Sequence, residues 1–159
     1  LGGMVLEGHA ERVAELSVSM GDVLGLSGAQ LEPLETAALL HHLGQMCLDE
    51  PEGGRSADTA AVAHAGAMIL RGTPLLAPAG DVIAAESALS AGDTSDAAML
   101  SGHILRVASA FDELSEGRAD RAVLALETLH SGPTYSYDGR VLAALEVVLD
   151  QRGLLGVSA

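Results

Sequence analysis

The run Ala37-Ala38-Leu39-Leu40-His41-His42-Leu43-Gly44-Gln45 places two adjacent histidines at the end of an apolar helical segment. Buried imidazoles cost free energy unless a hydrogen-bond partner or a metal ion satisfies their ring nitrogens. Successive helical residues are rotated by about 100°, so His41 and His42 point in different directions but can flank one cavity. The run therefore predicts a helix that ends in a polar site, and it leaves open whether hydrogen bonds or a metal ion occupy that site.

The composition favours a helical fold. The chain has 159 residues, of which 48% are hydrophobic, a length and apolar content that suit one domain with a real core. One phenylalanine and two tyrosines are its only aromatic residues. The core must therefore be built from Ala, Leu, Val, Ile and Met, which favours close packing of helix on helix. We find no β-type alternation and predict an all-α fold, a single compact bundle of six or seven helices that covers residues 1–159.

The charge restricts the partners of this chain. Its net charge is −14 at pH 7, and it contains no lysine. Such an acidic surface repels phosphate backbones and anionic lipid, so we expect neither nucleic-acid nor membrane binding. The sequence has no long uninterrupted apolar run and a single cysteine, which together indicate a cytoplasmic protein. The opening Leu1-Gly2-Gly3 suggests a piece cut from a longer chain.

Apolar spacing, caps and breakers divide the chain into helices. Ser27 and Gln30 form a capping-box pattern, and Tyr137-Asp138-Gly139 opens the last helix. We expect Pro78 and Gly80 to make the first half of the fourth segment irregular. The predicted helical segments are residues 5–24, 27–45, 56–70, 75–89, 94–115, 119–130 and 137–152.

Two further histidines lie on predicted apolar stripes. His9 shares a stripe with Val13 and Leu16, which directs it towards the core. His64 is expected to line one side of its helix with Ala61 and Met68, where small neighbours leave room for another helix or a ligand. A histidine on a core stripe is more often a hydrogen-bonded core residue than a ligand, so neither position alone establishes a metal site.

Several segments together resemble one known family. They are residues 7–14 (EGHAERVA), 37–45 (AALLHHLGQ), 64–70 (HAGAMIL) and 104–114 (ILRVASAFDEL), followed by Arg118 and Arg121 and by the closing helix after Tyr137. In this order they resemble the HD-GYP branch of the HD-domain metal-dependent phosphohydrolase superfamily. The resemblance implies an all-α domain that holds two or three metal ions and hydrolyses cyclic di-nucleotides such as cyclic di-GMP. In that chemistry a metal-bridging hydroxide attacks phosphorus.

The chain departs from the family pattern at the positions that would bind metal and substrate. A neutral imidazole offers one lone pair and cannot bridge two cations as a carboxylate does. What remains is a candidate metal set of His9, His41, His42 and His64. The degenerate positions are His42 and Ser109 for two family aspartates, Gln45 for the lysine, and Ala84 and Ala85 for a histidine pair.

We therefore expect a degenerate HD-GYP domain with no assigned catalytic residue. It would act as a regulatory or protein-interaction module in bacterial signalling and bind a protein partner or a neighbouring domain. The alternative is a phosphohydrolase with a reduced mononuclear site. Cofactors would be absent or limited to one divalent ion: Zn, Mn or Fe.

Two further possibilities stay open in the sequence. In a third reading, a metal-free domain binds a nucleotide through Arg106, Arg118 and Arg121, whose more ordinary role is in surface salt bridges. A homodimer could form through a face with Leu142, Leu145 and Leu149, although the same residues suit the intramolecular core equally well.

Overall fold

The computed structural model describes residues 7–43, 59–87, 97–133 and 137–156. All regular structure in these ranges is helical, which confirms the prediction of an all-α bundle of six or seven helices. One 3-10 turn, Ala119–Arg121, precedes the sixth helix. The seven helices are α1 (His9–Val23), α2 (Gly28–Leu40), α3 (Thr59–Arg71), α4 (Ala77–Ser87), α5 (Ala97–Ser115), α6 (Ala122–Ser131) and α7 (Gly139–Gln151).

Polar side chains fix the starts of two helices. Before α2, the backbone N–H of Ser27 donates to the side-chain oxygen of Gln30 at 2.8 Å, which is one half of the predicted capping box. Before α7, the backbone N–H of Arg140 donates to the carboxylate of Asp138 at 2.8 Å. Both starts were predicted from the sequence, because capping residues act within one turn of the helix that they begin.

Helix α5 is the centre of the bundle. It packs against α1, α2, α4, α6 and α7. Its apolar stripe contributes Ile104, Val107 and Phe111 to the core, as the spacing predicts. Helix α1 buries Val13, Leu16 and Met20 and runs against α2, α5 and α7. This arrangement brings the first turn of α1 close to the last turns of α5.

The boundaries of several helices differ from the prediction. Helix α2 ends at Leu40, before the predicted end near residue 45, and residues 41–42 form a turn. Helix α1 begins at His9, not near residue 5, because residues 7–8 form a turn. Helix α4 is continuous from Ala77, so the expected irregular first half is wrong for this part of the segment. Pro78 lies in the first turn of α4, where a missing N–H removes no helical hydrogen bond.

The predicted inner face of α3 is also wrong. Met68 is 57% exposed and the side chain of His64 is exposed. Ala67 and Leu70 are buried instead, so α3 is rotated relative to the expected orientation. His64 therefore lies on the outer side of this helix rather than on an inward apolar stripe.

The proposed dimer face on α7 belongs to the core. Leu142, Leu145 and Leu149 are all less than 8% exposed within the chain itself. The intramolecular alternative is therefore correct for these three residues, and they cannot form a dimer face in this fold. None of the described helices has the length and apolar character needed to cross a membrane.

The contact between α4 and α5 is close at one glycine. A Cβ atom added to Gly102 would lie 2.7 Å from the Cβ and carbonyl carbon of Ala85 and from the backbone nitrogen of Glu86. Backbone atoms cannot move aside as a flexible side chain does, so the two helices would have to separate. Gly102 therefore sets the distance between α4 and α5.

We predict that Gly102→Ala destabilises the protein by about 1–3 kcal/mol, despite the better helix propensity of alanine. Gly28→Ala is the matched control, because a Cβ at this helical position meets nothing within 4 Å. It should leave stability unchanged or raise it by up to about 1 kcal/mol. Urea denaturation followed by circular dichroism measures both. Equal stabilities for the two variants would contradict the close-contact explanation.

Candidate metal site

Three imidazoles meet between the start of α1 and the end of α2. His9 is the first residue of α1, while His41 caps the C-terminus of α2 and His42 follows it. The ring centroids of His41 and His42 lie 3.9 Å apart, and that of His9 lies 5.4 and 5.1 Å from them. One ring nitrogen from each residue lies within 4.8 Å of the other two. These three side chains could therefore form a metal site.

Asp112 on α5 orients the ring of His9. The Nδ1 atom of His9 lies 2.7 Å from the Oδ2 atom of Asp112. An ionised carboxylate only accepts hydrogen bonds, so the proton of this bond belongs to Nδ1. In the neutral form of the ring, this hydrogen bond leaves the lone pair at Nε2. Among the described residues this buried Nε2 atom has no hydrogen-bond partner.

His41 is oriented in the same way by the backbone. Its Nδ1 atom donates to the carbonyl oxygen of Ala38, one turn earlier in α2. Its Nε2 atom is buried and, in the described part of the chain, also lacks a hydrogen-bond partner. Two imidazoles from different helices thus each use Nδ1 for a structural hydrogen bond and keep Nε2 free. Metal-binding histidines in proteins commonly show this pattern.

Burial keeps two of the rings neutral. It lowers the pKa of His41 to about 4, and the neighbouring His42 adds to this effect, whereas the hydrogen bond to Ala38 opposes it. Burial also lowers the pKa of His42, and the nearby His9 ring, which would repel a second positive charge when protonated, adds to this effect. Since a metal binds the unprotonated ring, these residues are in the form that binds metal at neutral pH.

Asp112 is itself held by Arg12. The guanidinium of Arg12 donates from Nε to Oδ1 at 2.7 Å and from Nη2 to Oδ2 at 2.9 Å. Asp112 is 4% exposed, and burial alone would oppose its ionisation. The hydrogen bonds from His9 and Arg12 outweigh that effect and hold the pKa of Asp112 below its usual value. The same pairing raises the pKa of Arg12.

A left-handed glycine makes room for this ion pair. Gly117 has a φ of 67°, a conformation that side chains rarely adopt. A Cβ at this position would lie 2.6 Å from Nε of Arg12. Gly117 therefore allows the turn after α5 to close over the guanidinium that holds Asp112.

The described geometry is compatible with one cation after a small adjustment. Zinc binds imidazole nitrogens at about 2.1 Å in a tetrahedron, which places the ligand nitrogens about 3.4 Å apart. The ligand nitrogens of the three rings lie within 4.8 Å of one another, so each pair would need to approach by at most about 1.4 Å to bind zinc. Adjustments of the His42 ring cost little, because it is only half-buried. The site is thus suited to one ion held by three neutral ligands.

The other sequence candidates are placed elsewhere or lie outside the described residues. The structure does not bring His64 into the group of three imidazoles. Ala84 and Ala85 are half-buried on α4, and buried Ser109 donates from its hydroxyl to Glu113 at 3.4 Å. Gln45 lies outside the described residues.

A carboxyl group near the degenerate positions has an altered pKa. Burial raises the pKa of Glu86 to about 7, and the negative charge of Glu113 adds to this effect while Arg106 opposes it. In the family pattern Glu86 follows the lost histidine pair. Near neutral pH this carboxyl is divided between its protonated and ionised forms.

The arginines considered for nucleotide binding make local contacts. Arg118 pairs with Asp120 and Arg121 pairs with Glu116 in exposed ion pairs. Arg106 lies over the ring of Tyr137, with 5.4 Å between its guanidinium carbon and the ring centroid. These contacts fit the surface role that the sequence left open for Arg118 and Arg121.

Comparisons with protein-family models, with curated proteins and with solved structures give no match to this chain. The resemblance to HD-GYP domains therefore stays a prediction from the motifs. The two residues that sequence reasoning missed are Arg12 and Asp112. Their signal was present, because Asp112 is a charged residue beside Phe111 on the apolar side of α5, and Arg12 lies one turn after His9.

We predict that the His41 ring lowers the stability of the metal-free protein by about 2 kcal/mol between pH 7 and pH 5, whereas the raised pKa of Glu86 acts in the opposite direction. In the unfolded chain the His41 ring has an ordinary pKa near 6.5 and takes up a proton in this range. In the folded chain its pKa is about 4, so protonation favours the unfolded state as the pH falls. His42 contributes with the same sign.

Urea denaturation in EDTA at both pH values measures this effect. The stability of the wild type relative to His41→Gln should fall by about 2 kcal/mol between pH 7 and pH 5, because the contribution of Glu86 cancels in this comparison. His130→Gln, at an exposed position on α6, should keep the pH dependence of the wild type. A pH dependence that is identical in the wild type and in His41→Gln would show that another group is responsible.

Proposed function

We propose that this chain is a regulatory helical domain with a single-metal site, derived from the HD-GYP type and inactive as a phosphodiesterase. The proposal rests on one observation: the Nε2 atoms of His9 and His41 are buried and have no hydrogen-bond partner among the described residues. A buried acceptor without a partner costs about 1–3 kcal/mol. A cation between His9, His41 and His42 would satisfy both atoms at once.

Zinc is the ion that we expect. Three imidazoles with no carboxylate ligand suit a borderline-soft cation better than Mg²⁺ or Ca²⁺, which prefer oxygen ligands. Asp112 would compensate part of the ion's charge through His9, as in carboxylate–histidine–zinc arrangements. An ion held here would connect the start of α1 to the end of α2, and through Asp112 to α5.

Two features favour a regulatory role over phosphodiester hydrolysis. Among the described residues the cluster lacks a carboxylate that could bridge two metal ions, because the oxygens of Asp112 accept from His9 and Arg12. Ala85 occupies a position where the family motif has a histidine. It lies against Gly102 of α5, and a larger side chain directed at α5 would not fit there. A two-metal mechanism is therefore poorly supported by this site.

We predict that the purified chain binds one zinc ion and that His9→Ala, His41→Ala and His42→Ala each weaken binding by more than about tenfold. His64→Ala is the informative control, because its exposed side chain lies outside the three-imidazole group and its loss should have no effect. Asp112→Asn should weaken binding by about 10- to 100-fold. Titration with a competing chelator and elemental analysis measure these affinities.

The melting temperatures of the same variants should show whether zinc stabilises the folded chain through this site. Zinc at 100 times its dissociation constant should stabilise the wild type by about 2.7 kcal/mol, seen as a higher melting temperature. The His64→Ala variant should show the same increase, and His41→Ala should be stabilised by less than about 1.4 kcal/mol at the same zinc concentration. The proposal fails if zinc neither binds nor raises the melting temperature of the folded wild type.

The second candidate is a mononuclear hydrolase, which the small number of ligands favours. Three imidazoles leave one tetrahedral position open, and zinc lowers the pKa of a water bound in such a position to about 7. In such a hydrolase Asp112 would orient the ring of His9. Arg12 would not contact the substrate, because it already pairs with the carboxylate of Asp112.

Hydrolysis of bis(4-nitrophenyl) phosphate by the zinc-loaded chain distinguishes the two functions. We predict no turnover above that of the His41→Ala variant, because the described site supplies no free cation for the phosphate. Turnover that requires His9, His41 and His42 but not His64 would establish the hydrolase and refute the inactive domain.

A further inference from the structure

A second concave site lies beside the Arg12–Asp112 ion pair. It is a cleft of about 150 Å³ between α1, the turn after α5, the start of α6 and the segment after α7. Arg12 and Asp112 form part of its wall, whereas the three imidazoles do not line it. The cleft is therefore distinct from the candidate metal site, although one ion pair contributes to both.

The cleft concentrates positive charge in an acidic protein. Arg12, Arg118 and Arg152 all line it, which is three of the eight arginines of a chain with net charge −14. The acidic side chains in its wall are Glu15 and Asp112, and Asp112 is paired with Arg12. With Asp120, which pairs with Arg118, the charges at the wall balance, whereas the chain as a whole is strongly acidic.

Arg152 is the least engaged of these guanidiniums. Its Nη2 atom donates to the hydroxyl of Ser19 at 3.2 Å, and within the described residues it forms no ion pair. The contacts of Arg118 use Nε and Nη2, both on Asp120. Since a guanidinium has five N–H donors, both side chains keep donors for a ligand, in the planar arrangement that binds carboxylate or phosphate oxygens.

The remainder of the wall is apolar. Leu16, Phe111, Ala122 and Leu154 line the cleft, and Phe111 and Ala122 also belong to the core. A cavity of about 150 Å³ is large enough to hold a benzene ring. The combination suits a ligand with an anionic end and a small apolar body, rather than a bare inorganic ion.

We propose that this cleft binds a small organic oxyanion, with its carboxylate or phosphate on Arg152 and Arg118 and its apolar body against Phe111 and Leu16. This proposal does not depend on the metal site. Carboxylate and phosphate share the recognition chemistry, and the experiment separates them. Ligand binding should be direct and reversible, and it requires no covalent step.

The experiment is calorimetric titration of the full chain in EDTA at constant ionic strength, with phenyl phosphate, benzoate, inorganic phosphate and phenol as probes. We predict that one molecule of phenyl phosphate or benzoate binds per chain. The better of the two should bind at least about threefold more tightly than inorganic phosphate and phenol, because each of these supplies only half of the interactions. The preferred aromatic anion identifies the head group as phosphate or carboxylate.

Charge-matched variants locate the site. Arg152→Gln should weaken binding of the aromatic anion by more than about tenfold. Arg71→Gln removes the same charge from an arginine that pairs with Asp81 and does not line the cleft, so it should leave affinity unchanged. The proposal is overturned if neither aromatic anion binds at about 10 mM, if phenol or inorganic phosphate binds as well as the preferred aromatic anion, or if both variants weaken binding equally.

Discussion

The buried carboxylate of Asp112 is the interaction on which this end of the bundle depends. It accepts hydrogen bonds from His9 and Arg12 and so joins the first turn of α1 to the last turns of α5, about 100 residues later. A buried carboxylate without partners would cost several kcal/mol. With an imidazole and a guanidinium on its two oxygens it remains ionised, and Gly117 provides the space in which Arg12 reaches it.

The same ion pair determines what the histidines can do. Because Asp112 accepts from Nδ1 of His9, the buried ring nitrogen without a partner among the described residues is Nε2. The carbonyl of Ala38 has the equivalent effect on His41. Interactions that stabilise the fold therefore also select the tautomers that a metal requires. In this protein the stability of the bundle and the preparation of the site have a common origin.

Local signals in the sequence were sufficient for most of the fold. Helix starts at Ser27 and Asp138 follow from capping chemistry, and the inward stripe of α5 follows from its spacing. The orientation of α3 did not follow, because residues 60–70 other than His64 are small or apolar around the whole helix, so their spacing does not define one inner face. Because of this ambiguity, the sequence predicted His64 on an apolar face of the helix, whereas its side chain is exposed.

The site was predictable only in part, for a similar reason. The burial of His9 and His41 was encoded by neighbours three and four residues away, which sequence spacing reveals. The partnership of Arg12 with Asp112 joins residues 100 positions apart, and nothing in their separate helices specifies it. His42 joins the cluster because the chain leaves α2 at His41, which allows the two adjacent rings to approach each other.

The number of charges near the imidazoles favours one metal ion over two. Each divalent ion adds two positive charges, and adjacent ions repel strongly unless carboxylates bridge or flank them. Here the nearby carboxylate, Asp112, already shares its charge with Arg12, and the position that the family motif assigns to a ligand aspartate is Ser109. A single ion on three neutral rings avoids this repulsion. The described surroundings of the cluster therefore favour one cation over the two that a two-metal hydrolase requires.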